Sequence, residues 1–448
     1  MKKLFGTDGI RGRANQFPMS VDIAQALGIS VSKILSNPKN ARQKVVIGKD
    51  TRSSGDMFEA ALVSGLCAGG FDVILVGIIP TPAVAYLTQL YEADAGFMIS
   101  ASHNPPQDNG IKIFSSDGYK LSDQLESEIE SYVFAKKWKK DTFGDHGYIF
   151  HRKDASQRYI DSVKKSVPHS WNKNLSLVVD CANGAASTVA RPIFESLSNS
   201  VTMIHEYEEG KEINKNCGAM DTRSLQETVL KTKADMGIAF DGDADRLILC
   251  DNLGNILNGD HVLAICGRYL LANNALPQKT LVATQYSNMG LDDLIRQCGG
   301  NVIRVLNGDR YVIEKMREQN LILGGEASGH LIFKNFSTTG DGLIAALQVL
   351  NIINITEKTL AQLKEGITLY PQVIQNVCVR EKKSLESMPS VTKIINTIND
   401  TLGNNGRTLI RYSGTENKVR IMIEGKDHQQ ITQYADQIAQ EIRTQIGV

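Results

Sequence analysis

The feature that most constrains this chain is a repeated alternation of short apolar segments with amphipathic ones. Apolar runs of strand length alternate with segments of helical periodicity at residues 20–34, 45–48, 56–67, 71–79 and 95–99. Such alternation is typical of α/β domains. The same rhythm recurs over residues 155–240 and again over 262–323, so we predict three successive α/β domains.

The chain changes character after about residue 370. From residue 373 onward its pattern indicates strand, helix, strand and helix, with a turn at 404–406, which predicts a small α+β domain. A length of 448 residues is enough for several domains of ordinary size. The predicted domains are residues 1–152, 153–251, 252–368 and 369–448.

Charge and composition exclude several classes of function. The 49 Lys and Arg residues balance 49 Asp and Glu residues, so no overall field attracts nucleic acid. No apolar run approaches the ~18 residues of a membrane span, and no signal-peptide segment opens the chain. Seven scattered cysteines without a C-x-x-C pair are typical of reduced thiols, which predicts a cytoplasmic protein. The oligomeric state is left open, a homodimer included.

One loop places a hydroxyl and an imidazole where α/β sheets bind ligands. The apolar run 95–99 leads into Ser102 and His103, and Pro105 then interrupts regular structure. A serine in a loop is more often only a turn residue, so both interpretations stay open for this segment alone. Lys112, on the next predicted strand, either extends to solvent or serves as a charge partner beside Ser102.

Three carboxylates follow the apolar run 236–240. Asp241, Asp243 and Asp245 alternate with small residues, and carboxylates this close repel one another unless a cation neutralises them. Oxygen ligands of this kind suit Mg²⁺. A calcium-binding loop would need glycine at its sixth position and glutamate at its twelfth, where this chain has Arg246 and Asn252. The alternative is an acidic surface turn.

Three glycine-rich loops carry further polar groups. The opening loop, residues 5–12, offers the planar guanidinium of Arg11 for phosphate. The loop 324–330 contains Glu326, Ser328 and His330, which suit the hydroxyls of a polyol. A third loop has the parts of a phosphate-binding nest, with a further cation on the following strand: Arg411, Ser413, Gly414, Thr415 and Arg420. No nucleotide-binding glycine motif occurs.

Taken in order and spacing, these loops resemble the active-site loops of the α-D-phosphohexomutase family over the whole chain. The resemblance implies three α/β domains with mixed sheets and a small α+β C-terminal domain around a central cleft. It also implies a Mg²⁺-dependent intramolecular phosphotransferase whose C-terminal domain closes over the substrate. Two departures are Asn417, where the family usually has proline, and Pro106-Gln107, where a bulkier pair is common.

The resemblance also implies a role for each loop. Ser102 would carry a phosphoryl group, primed by phosphorylation or by a sugar bisphosphate, and one Mg²⁺ would bind Asp241, Asp243, Asp245 and a phosphoserine oxygen. The groups expected around Ser102 are Arg11, His103, Lys112 and Arg246, with His103 and Lys112 as candidates for the general acid/base. The expected substrate-binding residues are Arg310, Glu326, Ser328, Arg411, Ser413, Gly414, Thr415 and Arg420.

The substrate class follows from a smaller set of residues. The start FGTDGIRG, the tract 308–312 and the loop GEASGH resemble family members that interconvert glucosamine 6-phosphate and glucosamine 1-phosphate, a step toward UDP-N-acetylglucosamine and the cell wall. Glucose or mannose phosphate is the alternative sugar. A phosphatase and a catalytically silent sugar-phosphate-binding protein are alternatives of other classes. No nucleic-acid or membrane partner is expected.

Overall fold

The computed structural model describes residues 4–6, 8–36, 42–139, 144–168, 171, 174–207, 209–413 and 417–448. The chain forms two compact units. The larger contains residues 1–284 and 298–365, and the smaller contains residues 285–297 and 366–448. Within the described residues, no helix combines the length and apolarity needed to cross a lipid bilayer.

The first sheet of the larger unit is mixed and has six strands in the order β1-β5-β4-β2-β3-β6. These strands are β1 (Ile10–Arg13), β2 (Lys44–Lys49), β3 (Asp72–Ile78), β4 (Ala95–Ile99), β5 (Asp108–Ser115) and β6 (Ile149–His151). The accompanying helices are α1 (Val21–Ile34), α2 (Gly55–Ala68), α3 (Thr81–Leu90) and α4 (Asp123–Phe134). All five residues of β4 are buried, which explains its continuous apolar sequence.

The second sheet of the larger unit is also mixed, in the order β11-β10-β9-β7-β8. Its strands are β7 (Ser176–Asp180), β8 (Ser200–Ile204), β9 (Met236–Phe240), β10 (Leu247–Asp251) and β11 (Ile256–Leu257). Its helices are α5 (Ala155–Lys164), α6 (Ala190–Phe194) and α7 (Arg223–Thr232). Strands β9 and β10 pair antiparallel, and the turn between them carries the three aspartates.

The third sheet has the order β13-β12-β14-β15. Its strands are β12 (Thr280–Thr284), β13 (Asn301–Val305), β14 (Leu323–Gly325) and β15 (Leu331–Phe333). The helices of this stretch are α8 (Gly259–Ala272), α9 (Met289–Gln297), α10 (Asp309–Glu318), α11 (Gly342–Thr356) and α12 (Leu360–Lys364). Strands β14 and β15 pair antiparallel, and the turn between them carries Glu326 and Ser328.

The smaller unit contains an antiparallel sheet in the order β16-β18-β17. The strands of this sheet are β16 (Gln372–Cys378), β17 (Gly406–Tyr412) and β18 (Lys418–Gly425). The helices that follow residue 388 are α13 (Pro389–Leu402) and α14 (His428–Ile446). Helix α9 belongs to this unit. The buried carboxylate of Glu424 accepts the Met289 N–H at 2.6 Å and Arg407 Nε–H at 2.8 Å, which attaches α9 to the sheet.

The predicted α/β class, with three α/β stretches followed by an α+β unit, is confirmed. Four helices were absent from the sequence prediction, namely α3, α10, α11 and α12. Helix α3 is buried at seven of its ten residues and α11 at ten of its fifteen. A helix that is apolar on most sides lacks the periodic pattern by which helices are recognised, which explains the omission of α3 and α11.

One buried hydrogen bond joins the second and third sheets' helices. Tyr159 on α5 is 2% exposed, and its hydroxyl donates to Asp341 Oδ2 at 2.8 Å. Asp341 also caps α11, since its side chain accepts the Ile344 N–H at 3.0 Å. Burial raises the pKa of Asp341 to about 6, although both hydrogen bonds favour the ionised carboxylate.

We predict that Tyr159→Phe lowers the free energy of unfolding by about 1–3 kcal/mol, because the substitution removes a donor from a buried carboxylate. Urea denaturation of variant and parent provides the measurement. Tyr207→Phe is the control, since Tyr207 is 72% exposed and its substitution should change stability by less than about 0.5 kcal/mol. Equal midpoints for all three proteins would contradict the prediction.

Candidate active site

Ser102 lies in a strained and buried position just beyond β4. Its φ angle is +53°, in the left-handed region that favours glycine, and the residue is 1% exposed. Its hydroxyl donates to Asp241 Oδ2 at 2.5 Å. Strained backbone of this kind is concentrated at functional sites. The structure therefore favours a chemical role for Ser102 over that of a simple turn residue.

The three aspartates of the β9–β10 turn are buried together. Asp241 and Asp243 are 0% exposed and Asp245 is 3% exposed, which excludes the acidic surface turn. One oxygen from each lies within 4.8 Å of the others. Ala244, between them, has a φ of +57°, so the backbone turns sharply within the cluster.

Lys112 supplies a positive charge to this cluster. Its Nζ lies 2.8 Å from Asp243 Oδ2, 2.9 Å from Asp245 Oδ2 and 3.4 Å from Asp8 Oδ2. The residue is 1% exposed, so its side chain does not extend to solvent. Burial disfavours the charged form, but the three carboxylates outweigh it and raise the pKa of Lys112 well above its usual value. Lys112 is therefore protonated at neutral pH.

The aspartate cluster fits a small divalent cation. Burial, Asp245 and Asp243 raise the pKa of Asp241 well above its usual value, as expected where carboxylates face one another. Among the described residues, Asp243 Oδ1 and Asp245 Oδ1 are buried and accept no hydrogen bond. Unsatisfied carboxylate oxygens beside a buried hydroxyl are the ligands that a hard, oxygen-coordinated ion requires. The donor set therefore fits the metal predicted from the sequence.

The other groups predicted around Ser102 surround the same cluster. Arg246 Nε lies 3.8 Å from Asp241 Oδ2 and 3.9 Å from Asp245 Oδ1. Arg11 pairs with Asp8 and donates to the Ala101 carbonyl at 3.4 Å. These residues lie on the turn of the second sheet and on β1 of the first sheet. The two arginines and Lys112 place three cations beside the carboxylates that surround Ser102, and such cations can bind a phosphoryl group.

His103 is held in its neutral form. Burial, followed by the charges of Arg246 and Arg11, lowers the pKa of His103 to about 4. Its Nδ1 is buried and has no hydrogen-bond partner in the described part of the chain. A neutral imidazole with an unpaired nitrogen can accept a proton, whereas the protonated Lys112 can only donate one.

The β14–β15 turn presents Glu326 and Ser328 together. Glu326 Oε1 accepts the Gly308 N–H at 2.9 Å, and the Ser328 hydroxyl donates to Glu326 Oε2 at 3.1 Å. His330, at the end of this turn, forms an antiparallel bridge with Arg246. The two turns predicted to bind sugar and metal are therefore adjacent within the larger unit.

A ring of alternating charges runs through these loops. His330 connects Asp245 at 3.6 Å to Asp309 at 3.4 Å, and Lys120 Nζ lies 2.5 Å from Asp309 and also contacts Asp8. Lys112 closes the ring between Asp8 and Asp245. Despite burial, Asp245 and Asp309 raise the pKa of His330 to about 10.

Three members of this ring were missed by sequence reasoning as functional residues. Asp8 lies inside the motif FGTDGIRG, and Asp309 lies inside the tract 308–312. The presence of a carboxylate in each motif could have identified both residues as functional. Lys120 follows the turn after β5 and forms an isolated antiparallel bridge with Phe114, and nothing in the local sequence distinguishes it from a solvated lysine.

Arg310 contacts residues at and just before the start of α4. Its Nη2 donates to Glu126 Oε1 at 2.8 Å and to the Leu121 carbonyl at 3.0 Å, and Nη1 pairs with Asp123. These contacts attach α10 to the start of α4. The substrate contact predicted for Arg310 stays a prediction, and the structure shows its guanidinium engaged by protein groups.

The predicted phosphate-binding residues lie in the smaller unit. Arg411 on β17 and Arg420 on β18 are directly opposite in the antiparallel register. Like charges facing each other across two strands are destabilising, and a bound anion removes that cost. Arg411 Nε also donates to the Tyr286 hydroxyl at 2.7 Å. Ser413 is buried, while Gly414 and Thr415 lie outside the described residues.

We predict that Lys112→Met lowers the free energy of unfolding by about 3–5 kcal/mol at pH 7, because it leaves buried carboxylates without their cation. Because the three carboxylates hold the pKa of Lys112 well above its usual value, its contribution should be the same throughout the neutral range and be lost only at strongly alkaline pH. Thermal denaturation between pH 5 and 8 provides the measurement.

Lys215→Met is the matched control for this prediction. Lys215 pairs with Glu212 at 2.9 Å, but the two side chains are 54% and 58% exposed, so its loss should cost less than about 1 kcal/mol. Similar losses in the two variants would show that the Lys112 cluster does not stabilise the fold.

Comparison with known proteins places the same regions in one family. Family models described as phosphoglucomutase/phosphomannomutase, alpha/beta/alpha domains I, II and III, match residues 2–140, 157–254 and 258–370. The C-terminal domain of the same family matches residues 375–441. The matches follow one another along almost the whole chain.

Individual relatives agree with this assignment. A phosphoglucosamine mutase of Pelobacter propionicus is 47% identical over all of this chain and 99% of its own length. Among solved structures, a phosphoglucomutase/phosphomannomutase family protein of Burkholderia thailandensis has a TM-score of 0.81 at 21% identity and 99% coverage of both chains. An N-acetylphosphoglucosamine mutase of Aspergillus fumigatus, solved with GlcNAc-6P and magnesium, has a TM-score of 0.67 at 18% identity, covering 99% of this chain and 96% of that one. The structural matches show a shared fold.

Proposed function

The chain belongs to the phosphoglucomutase/phosphomannomutase family of intramolecular phosphotransferases, and from this premise we propose that it is a phosphoglucosamine mutase. The proposed reaction interconverts glucosamine 6-phosphate and glucosamine 1-phosphate, toward UDP-N-acetylglucosamine. The alternative is a glucose or mannose phosphate as the substrate of the same chemistry.

The observation that carries the proposal is the placement of Ser102. Its hydroxyl is buried, lies 2.5 Å from Asp241 and occurs on a backbone strained into the left-handed region. A serine held against a carboxylate cluster that Lys112, Arg11 and Arg246 partly neutralise is suited to carry a phosphoryl group. Transfer of such a group depends mainly on positioning and charge stabilisation.

In the proposed cycle, the phosphoryl group leaves Ser102 Oγ for the free hydroxyl of a hexosamine monophosphate. The Oγ–P bond breaks, a P–O bond to the sugar forms, and the sugar hydroxyl gives up its proton to a base. His103 is the proposed base, since it is neutral and its Nδ1 is unpaired among the described residues. Lys112, which is protonated, is the proposed donor toward the serine oxygen that is left. The bisphosphate then turns over and returns its other phosphoryl group to Ser102.

The proposed cofactor is one Mg²⁺, held by Asp241, Asp243, Asp245 and a phosphoserine oxygen. When bound, it supplies positive charge to the oxygens of the transferring phosphoryl group. Lys112 neutralises two of the three carboxylates from the side of β5, and Arg246 approaches from the other end of the turn. Initial phosphorylation of Ser102 by a sugar bisphosphate, or by another donor, would prime the cycle.

The remaining predicted residues receive roles that both orientations of the sugar can use. Glu326 and Ser328 would hydrogen-bond hydroxyls common to the two orientations. The non-reacting phosphate would be bound by Arg411, Ser413, Gly414, Thr415 and Arg420.

We propose four domains at residues 1–152, 153–251, 252–368 and 369–448. All seven cysteines lie in described segments and are free, which supports the proposed cytoplasmic location.

We predict that the purified protein, once primed with glucose 1,6-bisphosphate, gains the mass of one phosphoryl group at Ser102 and isomerises glucosamine 6-phosphate. Its kcat/KM should be higher for glucosamine phosphate than for glucose or mannose phosphate. Intact mass with fragment mapping and a coupled assay provide the measurements. Ser102→Ala should gain no mass and lose turnover by at least about 10³-fold.

The outcomes separate the family chemistry from the choice of sugar. Phosphorylated Ser102 with a preference for glucose or mannose phosphate would overturn the proposed substrate. Release of inorganic phosphate in place of isomerisation would indicate a phosphatase. Undiminished turnover by Ser102→Ala would reject the nucleophile.

We predict that Asp243→Asn weakens Mg²⁺ binding by at least about tenfold, because it replaces a carboxylate ligand by a neutral amide. Isothermal titration of the metal-free protein with Mg²⁺ provides the measurement. Asp56→Asn is the control, since the Asp56 side chain is 87% exposed and pairs with Lys49. Equal affinity of the two variants would place the metal elsewhere.

A further inference from the structure

We propose that Arg52 and Asn214 are positioning residues that together hold the Ser102 backbone in its left-handed conformation. We call them the carbonyl clamp, since both donate to the same two carbonyl oxygens, those of Ser102 and Asn104. The inference rests on the proposed function, because it concerns the same nucleophile. Neither residue was identified by the sequence analysis or belongs to the loops that it singled out.

Arg52 follows β2 and uses its guanidinium on backbone groups. The residue is 2% exposed, and Nη2 lies 3.0 Å from the Ser102 oxygen and 2.8 Å from the Asn104 oxygen. Nη1 donates to the Asp108 carbonyl at 2.9 Å and also to that of Pro105. Because these donors are directed at carbonyls of the Ser102 loop, Arg52 acts on the loop and not on a phosphate.

Asn214 reaches the same carbonyls from the second sheet's side. Its Nδ2 lies 2.8 Å from the Ser102 oxygen and 3.1 Å from the Asn104 oxygen. The Asn214 N–H donates to the Ala182 carbonyl at 2.9 Å, and the Ala182 N–H donates to the buried Asp180 at 2.9 Å. Asn214 is therefore itself held by a fixed loop beyond β7.

The peptide on the other side of Ser102 is fixed as well. Asp50 accepts Arg52 Nε–H at 3.0 Å and the Ser100 hydroxyl at 2.6 Å. The Ser100 oxygen in turn accepts the Ser102 N–H at 2.8 Å. Holding the N–H on one side and the carbonyl on the other fixes both peptide planes, and hence φ and ψ of Ser102.

The metal-binding turn packs directly on the clamp. A Cβ on Gly242 would lie 2.6 Å from the Ser102 oxygen and 2.8 Å from Asn214 Nδ2, so only glycine permits this approach. The separation of the Ser102 hydroxyl from Asp241 therefore depends on where the clamp holds the Ser102 carbonyl. A displaced nucleophile loses rate while the sugar-binding groups stay in place.

The test compares Asn214→Ala and Arg52→Lys with Arg268→Lys. Arg268 also donates to two carbonyls, those of Leu363 and Glu365, but it lies on α8 outside the proposed site. We expect both clamp variants to lower kcat for glucosamine 6-phosphate by roughly 10- to 100-fold, with KM changed by less than about threefold. Arg268→Lys should lower the thermal midpoint without changing kcat. If Arg52→Lys does not fold, Asn214→Ala alone tests the proposed role of the clamp.

A second readout is independent of the sugar. Each protein is mixed with glucose 1,6-bisphosphate, and the rate of Ser102 phosphorylation is followed by intact mass. In this step an O–P bond of the bisphosphate breaks, the Ser102 Oγ–P bond forms, and the serine proton passes to the departing sugar oxygen. The clamp variants should be phosphorylated roughly 10- to 100-fold more slowly than the parent.

The results distinguish the two proposals. A folded Asn214→Ala with parental kcat and parental phosphorylation rate would overturn the clamp and leave the proposed function intact. A parent that is phosphorylated but does not act on glucosamine 6-phosphate would overturn the proposed substrate. The phosphorylation rates of the clamp variants, compared with that of the parent, would still test the clamp. A parent that takes up no phosphoryl group would overturn both.

Discussion

The ammonium group of Lys112 is the interaction on which the rest of this site depends. Lys112 lies on β5, and its buried ammonium group is surrounded by Asp8, Asp243 and Asp245. Removing a charge from water is expensive, and only partners at hydrogen-bond distance compensate for it. Those partners lie on the opening loop and on the β9–β10 turn. The ion pairs of Lys112 therefore connect the first sheet to the second.

The same principle extends the connection to the third sheet. His330 pairs with Asp245 and Asp309, and Lys120 pairs with Asp309 and Asp8, so Asp8, Asp245 and Asp309 each lie between two cations. Partial neutralisation of this kind leaves the aspartate cluster with oxygens for a metal ion. It also aligns the sugar-binding turn with the nucleophile, since Arg246 and His330 are bridged.

Close backbone approach is the second constraint on the site. Gly242 lies against the Ser102 carbonyl, and a Cβ on Gly329 would lie 2.2 Å from the Leu247 oxygen. These positions show why glycine recurs in the loops that the sequence analysis singled out. At Ser102 and Ala244 the chain adopts positive φ without glycine, and hydrogen bonds to the surrounding peptides hold Ser102 there.

The sequence by itself determined the α/β alternation, the position of Ser102 after a buried strand and the membership of Asp241, Asp243 and Asp245 in one turn. These features are local, because a buried strand has a continuous apolar sequence that can be recognised within a short stretch of residues. Only the tertiary structure decided which distant groups meet. It buries Lys112 among carboxylates, it pairs Arg310 with Glu126, and it directs Arg52 and Asn214 to the same two carbonyls. Asn214 lies 112 residues from Ser102 along the chain, and no local pattern reports which loops the packing of two sheets brings together.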